Sequence, residues 1–138
     1  MVKAEVLRKR LEQMNASLNK IKRYKDISLD EFISDDIIQD VVEYNLFIAI
    51  NMMADIATHI VIDEQLGSVN SMGDAFEILC QKGYISKEEV SLYKNMIGFR
   101  NILSHEYVKI NKELVYSVAK NNIVDFQKFI LFVHENFM

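Results

Sequence analysis

Val6, Leu7, Leu11, Met14, Leu18 and Ile21 recur at intervals of three and four. On a helix that spacing makes one apolar stripe, so a first helix is expected from about Val2 to Tyr24. Ser28-Leu-Asp-Glu31 places a hydroxyl three residues ahead of a carboxylate, the form of a capping box. It opens either a short turn or the second helix. A long second helix is expected over about Asp35 to Glu64. From Leu46 onward it is apolar on most sides and must be enclosed by neighbours or by a second subunit. Leu66-Gly67 is expected to close it. A third helix is expected over about Met72 to Lys82, with Gly83 at its C-terminal end. Ser86-Lys-Glu-Glu89 is another capping box and starts a fourth helix that runs to about Ser104. Asn111 begins a fifth. Asn121-Asn122 interrupts it, and Asn122 with Asp125 caps a fresh segment that continues to near Phe137. The expected fold is all-α, an antiparallel bundle of four to five helices with short loops, forming a single domain over 1–138.

Composition agrees with this pattern. The chain has 138 residues, no Pro and four Gly, so a β-sandwich or barrel with its many tight turns is unlike it. The single cysteine, Cys80, excludes an intrachain disulfide and a C-x-x-C zinc site. The N-terminus carries charge without an apolar run, which is not the form of a signal peptide. The most apolar stretch, Asn45 to Ile62, contains Asn51, Asp55, Thr58 and His59. It reads as a buried helix rather than a membrane span, and the expected location is the cytoplasm, with no membrane partner.

The formal charge of −4 hides an asymmetry. Residues 1–25 hold eight Lys/Arg against Glu5 and Glu12, a local charge of +6; the remainder holds eight basic and eighteen acidic residues, a charge of −10. The basic first helix is either a solvated face or a contact for phosphates. The acidic block from Asp26 to Glu43 would repel a polyanion, so a phosphate-bearing partner is expected to approach elsewhere.

The chemically richest stretch is Gly98-Phe-Arg-Asn-Ile-Leu-Ser-His-Glu-Tyr107. It sets Arg, Asn, Ser, His, Glu and Tyr within eight residues at the end of a helix. Arg100, Ser104 and Tyr107 share one face of an ideal helix, and Asn101 and His105 form a neighbouring row. Arg100 and His105 lie about 140° apart round the axis. They reach one cleft only if the helix loosens near Ser104 or if the cleft lies between two chains. The plain structural alternative is a C-terminal helix cap in which His105 meets the last carbonyls.

This stretch resembles the signature of the HEPN superfamily, an Arg followed by a polar residue and, four to six residues on, a His. In the form Arg100-Asn101-Ile-Leu103-Ser-His105-Glu-Tyr107 it is similar to the HepT-like branch. Asp55-Ile-Ala-Thr-His59-Ile resembles that branch's D-I-A-x-H-I segment, and Gly73-Asp-Ala-Phe76-Glu-Ile-Leu79 its third-helix start. Leu114-Val-Tyr116 with Asn121-Asn122 resembles the helix after the motif, although the Pro often found there is absent. The resemblance covers nearly the whole chain. It implies the toxin of a type VII-like toxin–antitoxin pair, a metal-independent endoribonuclease. It also implies a cognate antitoxin, a minimal nucleotidyltransferase that uses ATP to place AMP on the motif Tyr. Carried over, Arg100 and His105 are catalytic, Asn101 and Ser104 support the site, and Tyr107 accepts AMP. The chain itself would need no cofactor, and ATP would belong to the partner.

The implied chemistry is physically coherent. RNA carries its own nucleophile in the 2′-OH beside the scissile phosphate. Imidazole, with a reference pKa of ~6.5, suits the proton transfers. Guanidinium grips phosphate oxygens at two points and keeps its charge. Acid–base cleavage asks for two proton-handling groups, and each chain offers one motif His, so a C2 homodimer with facing motifs is expected. Asp55 and His59 lie on one helix face but are too few to hold a metal. Met52-Met53 and Phe126, Phe129 and Phe132 read as core, Cys80 as a buried small hydrophobe, and His134-Glu135 as surface. Two other readings stand beside the nuclease: a non-catalytic, substrate-binding companion of a nucleotidyltransferase, and a purely structural helical adaptor.

Overall fold

The computed structural model describes residues 3–105 and 110–138. Over these residues the chain is all-α. The helices are α1 (Ala4–Lys22), α2 (Leu29–Ile33), α3 (Asp36–Asp63), α4 (Asp74–Gln81), α5 (Lys87–His105), α6 (Lys112–Asn121) and α7 (Ile123–Phe137). The five expected helices are present. The two further segments come from punctuation: the Ser28 box opens a five-residue helix of its own, and the chain breaks at Asn122.

Both capping boxes form. Ser28 Oγ accepts from the Glu31 N–H at 3.1 Å and Glu31 accepts from the Ser28 N–H at 3.4 Å. Ser86 and Glu89 make the same exchange at 3.1 and 2.9 Å. At Asn122 the mechanism differs from expectation. Its side chain caps no backbone N–H but donates from Nδ2 to the Asp125 carboxylate at 2.9 Å. The end of α3 also differs. Gln65, not Gly67, takes the left-handed conformation, at φ 55°. The Gln65 N–H bonds to the Ile62 carbonyl and the Leu66 N–H to the Val61 carbonyl, which together make a Schellman motif on a non-glycine residue. Gly83 closes α4 in the same way, at φ 84°.

Every other helix packs on α3. Its 28 residues are long and apolar enough to cross a membrane by length and composition alone. Its four polar residues from Asn51 to His59 are thus too few to exclude a span by composition. Enclosure marks it as a core helix: Leu46, Ala49, Ile50, Met53, Ile56, Ala57, Ile60 and Val61 are fully buried among its neighbours. On α1 the expected stripe is buried at Leu7, Leu11, Met14, Leu18 and Ile21. Phe76 of α4, Tyr93 of α5 and Phe126 and Phe129 of α7 fill the same core, with the Phe129 ring edge-on to both Phe76 and Tyr93. Polar groups within the core are partnered: Gln39 donates to the Phe32 carbonyl at 2.8 Å, and Lys112 pairs at 2.6 Å with Glu43, the one buried member of the acidic block.

Candidate active site at the end of α5

Helix α5 buries Tyr93, Met96, Phe99 and Leu103. Arg100 lies at the edge of that stripe and is half-buried. Its Nε–H donates to Asn51 Oδ1 at 2.8 Å, and its Nη1 donates to Asn101 Oδ1 at 3.0 Å. The guanidinium carbon stands 4.9 Å from the centre of the Phe47 ring. Phe47 and Asn51 are one turn apart on α3, so the core helix offers an aromatic face and an amide oxygen side by side. A guanidinium has five N–H donors. Two are used here among the described residues, and the others remain for an oxyanion.

Asn101 is exposed and steadies Arg100. The Ser104 hydroxyl donates to the Asn101 carbonyl at 3.2 Å, a bond within its own helix. His105 is the last residue of α5 and is exposed, without a side-chain partner among the described residues. Tyr107 lies outside the described residues. The helix stays regular through His105, so no loosening near Ser104 turns the imidazole toward Arg100. Arg100 faces α3, and His105 faces outward, about 140° away round the axis.

A second arginine sits on the same face of α3. Arg10 of α1 donates from Nε to Asp55 Oδ2, and His59 Nε2 stands 3.9 Å from Asp55 Oδ1. Asp55 is therefore engaged by α1 rather than poised with His59 for a metal. Among the described residues no three His, Cys, Asp or Glu side chains are grouped to hold a metal ion. Beside this row opens a cleft of about 580 Å³, walled by Asn51, Asp55 and Thr58 on one side and by Asn70, Ser71 and Met72 on the other. The second wall is fixed by Asp74, whose carboxylate accepts from the Ser71 hydroxyl at 2.8 Å and from the Asn70 and Ser71 N–H groups at 2.9 Å. Those bonds hold its pKa below the ordinary carboxylate value.

Phe47, Asn51 and Arg10 were not singled out by sequence reasoning as site residues. The available trace was the polar row Asn51, Asp55 and His59 at intervals of four on an otherwise apolar helix, which places all three on one face.

The model of a family described as ribonuclease HepT-like matches residues 14–133. The chain belongs to the ribonuclease HepT-like family. Among curated proteins, this HepT-like chain is 36% identical over 112 residues to the mRNA nuclease HepT of Shewanella oneidensis, covering 80% of this chain and 84% of that one. Among solved structures, it superposes on a tri-AMPylated Shewanella oneidensis HEPN toxin in complex with an MNT antitoxin. The TM-score is 0.89 at 30% identity, over 97% of this chain and 100% of that one. A toxin–antitoxin crystal structure with AMP-PNP gives a TM-score of 0.88 at 29% identity, over 96% and 99% of the two chains. The HepT-like match spans Asn51, Arg100 and His105 but not Arg10.

Proposed function

We propose that this protein is the RNA-cleaving toxin of a toxin–antitoxin pair and that it cuts RNA without a metal ion. The observation that carries the reading is the seating of Arg100. A half-buried guanidinium held by Asn51 over Phe47 is positioned before substrate arrives, so little reorganisation is needed when charge develops on the phosphate. The curated nuclease and the complexed toxins of like fold support the same reading.

In this mechanism Arg100 binds the non-bridging oxygens of the scissile phosphate. His105 removes the proton from the 2′-OH, which attacks phosphorus. The 5′-oxygen leaves with a proton supplied by a second imidazole, and the product carries a 2′,3′-cyclic phosphate. The outward direction of His105 supports a cleft shared by two chains, where the second His105 supplies that proton and the free N–H groups of Arg100 hold the phosphate. The nucleotidyltransferase antitoxin, using its own ATP, places AMP on Tyr107. That adds a phosphodiester charge and a base where RNA phosphate would bind, which competes for Arg100. No cofactor is assigned to this chain.

The test is cleavage of total cellular RNA by the purified protein in excess EDTA, with His105→Ala run in parallel. Cutting by the wild type alone is the expected result. Absence of cutting by wild-type protein whose mass shows no AMP on Tyr107 would move the assignment to a non-catalytic companion of a nucleotidyltransferase.

A further inference from the structure

The cleft beside Asn51 is not used by the phosphate chemistry just described, although it shares a residue with it. Asn51 belongs to both. Its Oδ1 is taken by Arg100, which leaves its amide N–H donors for the cleft that it lines. Thr58 and Asn70 line the same space, and neither side chain has a hydrogen-bond partner among the described residues. Met52, Val69 and Met72 supply apolar surface between these polar groups. Such a mixture suits a flat heteroaromatic ring with donors and acceptors on its edge.

Two of the residues that line this space, Asn51 and Asp55, each hold an arginine. Arg100 is tied by Nε to Asn51, and Arg10 is tied by Nε to Asp55. Asn51 and Asp55 are one turn apart on α3, a rise of about 6 Å. That is of the order of the step between successive phosphates of a single strand. Each guanidinium spends its Nε–H on α3 and keeps terminal N–H groups for a phosphate oxygen. Arg10 is about a third exposed, so its head is accessible.

We infer that the cleft is a nucleotide subsite, in which Arg10 holds the phosphate next to the one at Arg100 and the space lined by Asn51, Thr58 and Asn70 takes the intervening base. This rests on the reading of the protein as an RNA-binding nuclease and deepens it, because it makes α3 and the loop after it the reader of the base beside the cut. Asp55 offsets the charge of Arg10, so Arg10 contributes direction and one counterion-releasing contact rather than a large net field. Its place on α1 also gives a role to the basic first helix, on which Arg8, Lys9 and Lys20 are exposed.

The experiment measures binding of the full-length protein to single strands that carry 2′-fluoro in place of 2′-OH, so that binding is read without cutting. Strands of A, C and U are compared over a range of salt. The wild type is expected to rank them with a spread of about five-fold or more. Asn70→Ala, at an exposed position where the fold is not at risk, and Thr58→Phe, which fills the cleft, should compress that spread to within about two-fold. Arg10→Gln should lower the slope of log affinity against log salt by about 0.7, the loss of one phosphate contact on a single strand. Equal affinity of the wild type for all three strands, an unchanged ranking in Asn70→Ala and Thr58→Phe, or an unchanged salt slope in Arg10→Gln would each overturn the subsite. RNA cleavage in EDTA with an unchanged ranking would remove the subsite and keep the nuclease. The expected ranking without any cleavage would do the reverse.

Discussion

Arg100 and Arg10 are both held by α3, but by different chemistry, and the difference decides what each can do. Asn51 is neutral, so Arg100 keeps its full charge for a phosphate; Asp55 is anionic, so Arg10 is held and offset together. The amide at position 51 is therefore the more demanding choice. Asn51→Ala should lower kcat/KM for RNA by about ten-fold, near 1.4 kcal/mol, the worth of one hydrogen bond to a charged group. Asn51→Asp keeps the bond geometry yet should be worse than Asn51→Ala, because a carboxylate beside Arg100 repels the incoming phosphate. Initial rates on one RNA, with circular dichroism to show an intact fold, check both; an Asn51→Asp rate equal to wild type would show that charge at this position is unimportant. Among titrating groups, Tyr93 is buried near Glu89 and Asp125, and its phenol is pushed well above its ordinary value. It is a packing group of the core and takes no part in proton transfer.

At the scale of elements, helix ends carry most of the local information. The two boxes at Ser28 and Ser86 and the Asn111 cap are legible because a cap needs one oxygen at one position, whatever the tertiary fold; the break at Asn122 falls where expected, although its side chain caps no backbone N–H. The end of α3 was legible in position, expected at about Glu64 and found at Asp63, but not in the residue that makes the turn. Gly67 stands two residues beyond the left-handed position, and Gln65 occupies that position against its own steric preference. Gln65→Gly should therefore stabilise the protein by roughly 0.5–1 kcal/mol, while Gly83→Ala should destabilise it by about 1 kcal/mol or more. Urea melts compare the two, and opposite signs are the expected result. The site was legible in part for a similar reason. Arg100, Asn101 and His105 sit together in sequence, so their pattern shows. The cradle of Phe47 and Asn51 is about fifty residues away and joins them only when α5 packs on α3. No local spacing encodes that contact; what spacing does show is that Asn51, Asp55 and His59 share one face.

At the scale of the whole molecule, the regular run of α5 through His105 bears on assembly. With Arg100 turned inward and His105 outward, one chain presents its cation and its imidazole on different sides of a helix. Light scattering of the purified protein should give twice the 16.1 kDa chain mass. A stable monomer that still cut RNA would end the shared-cleft reading. The core has a further consequence, for the order in which the chain acquires its candidate site. Phe126, Phe129 and Val133 of α7 have no exposed surface, and Phe129 packs on Tyr93, which seats α5 against the rest of the fold. Domains fold as units, so a chain lacking α7 leaves Tyr93 and Phe76 without the Phe129 ring and the core beneath α5 incomplete. Under the proposed function, a chain that stops short of α7 carries the motif residues without the packed core that sets them in place.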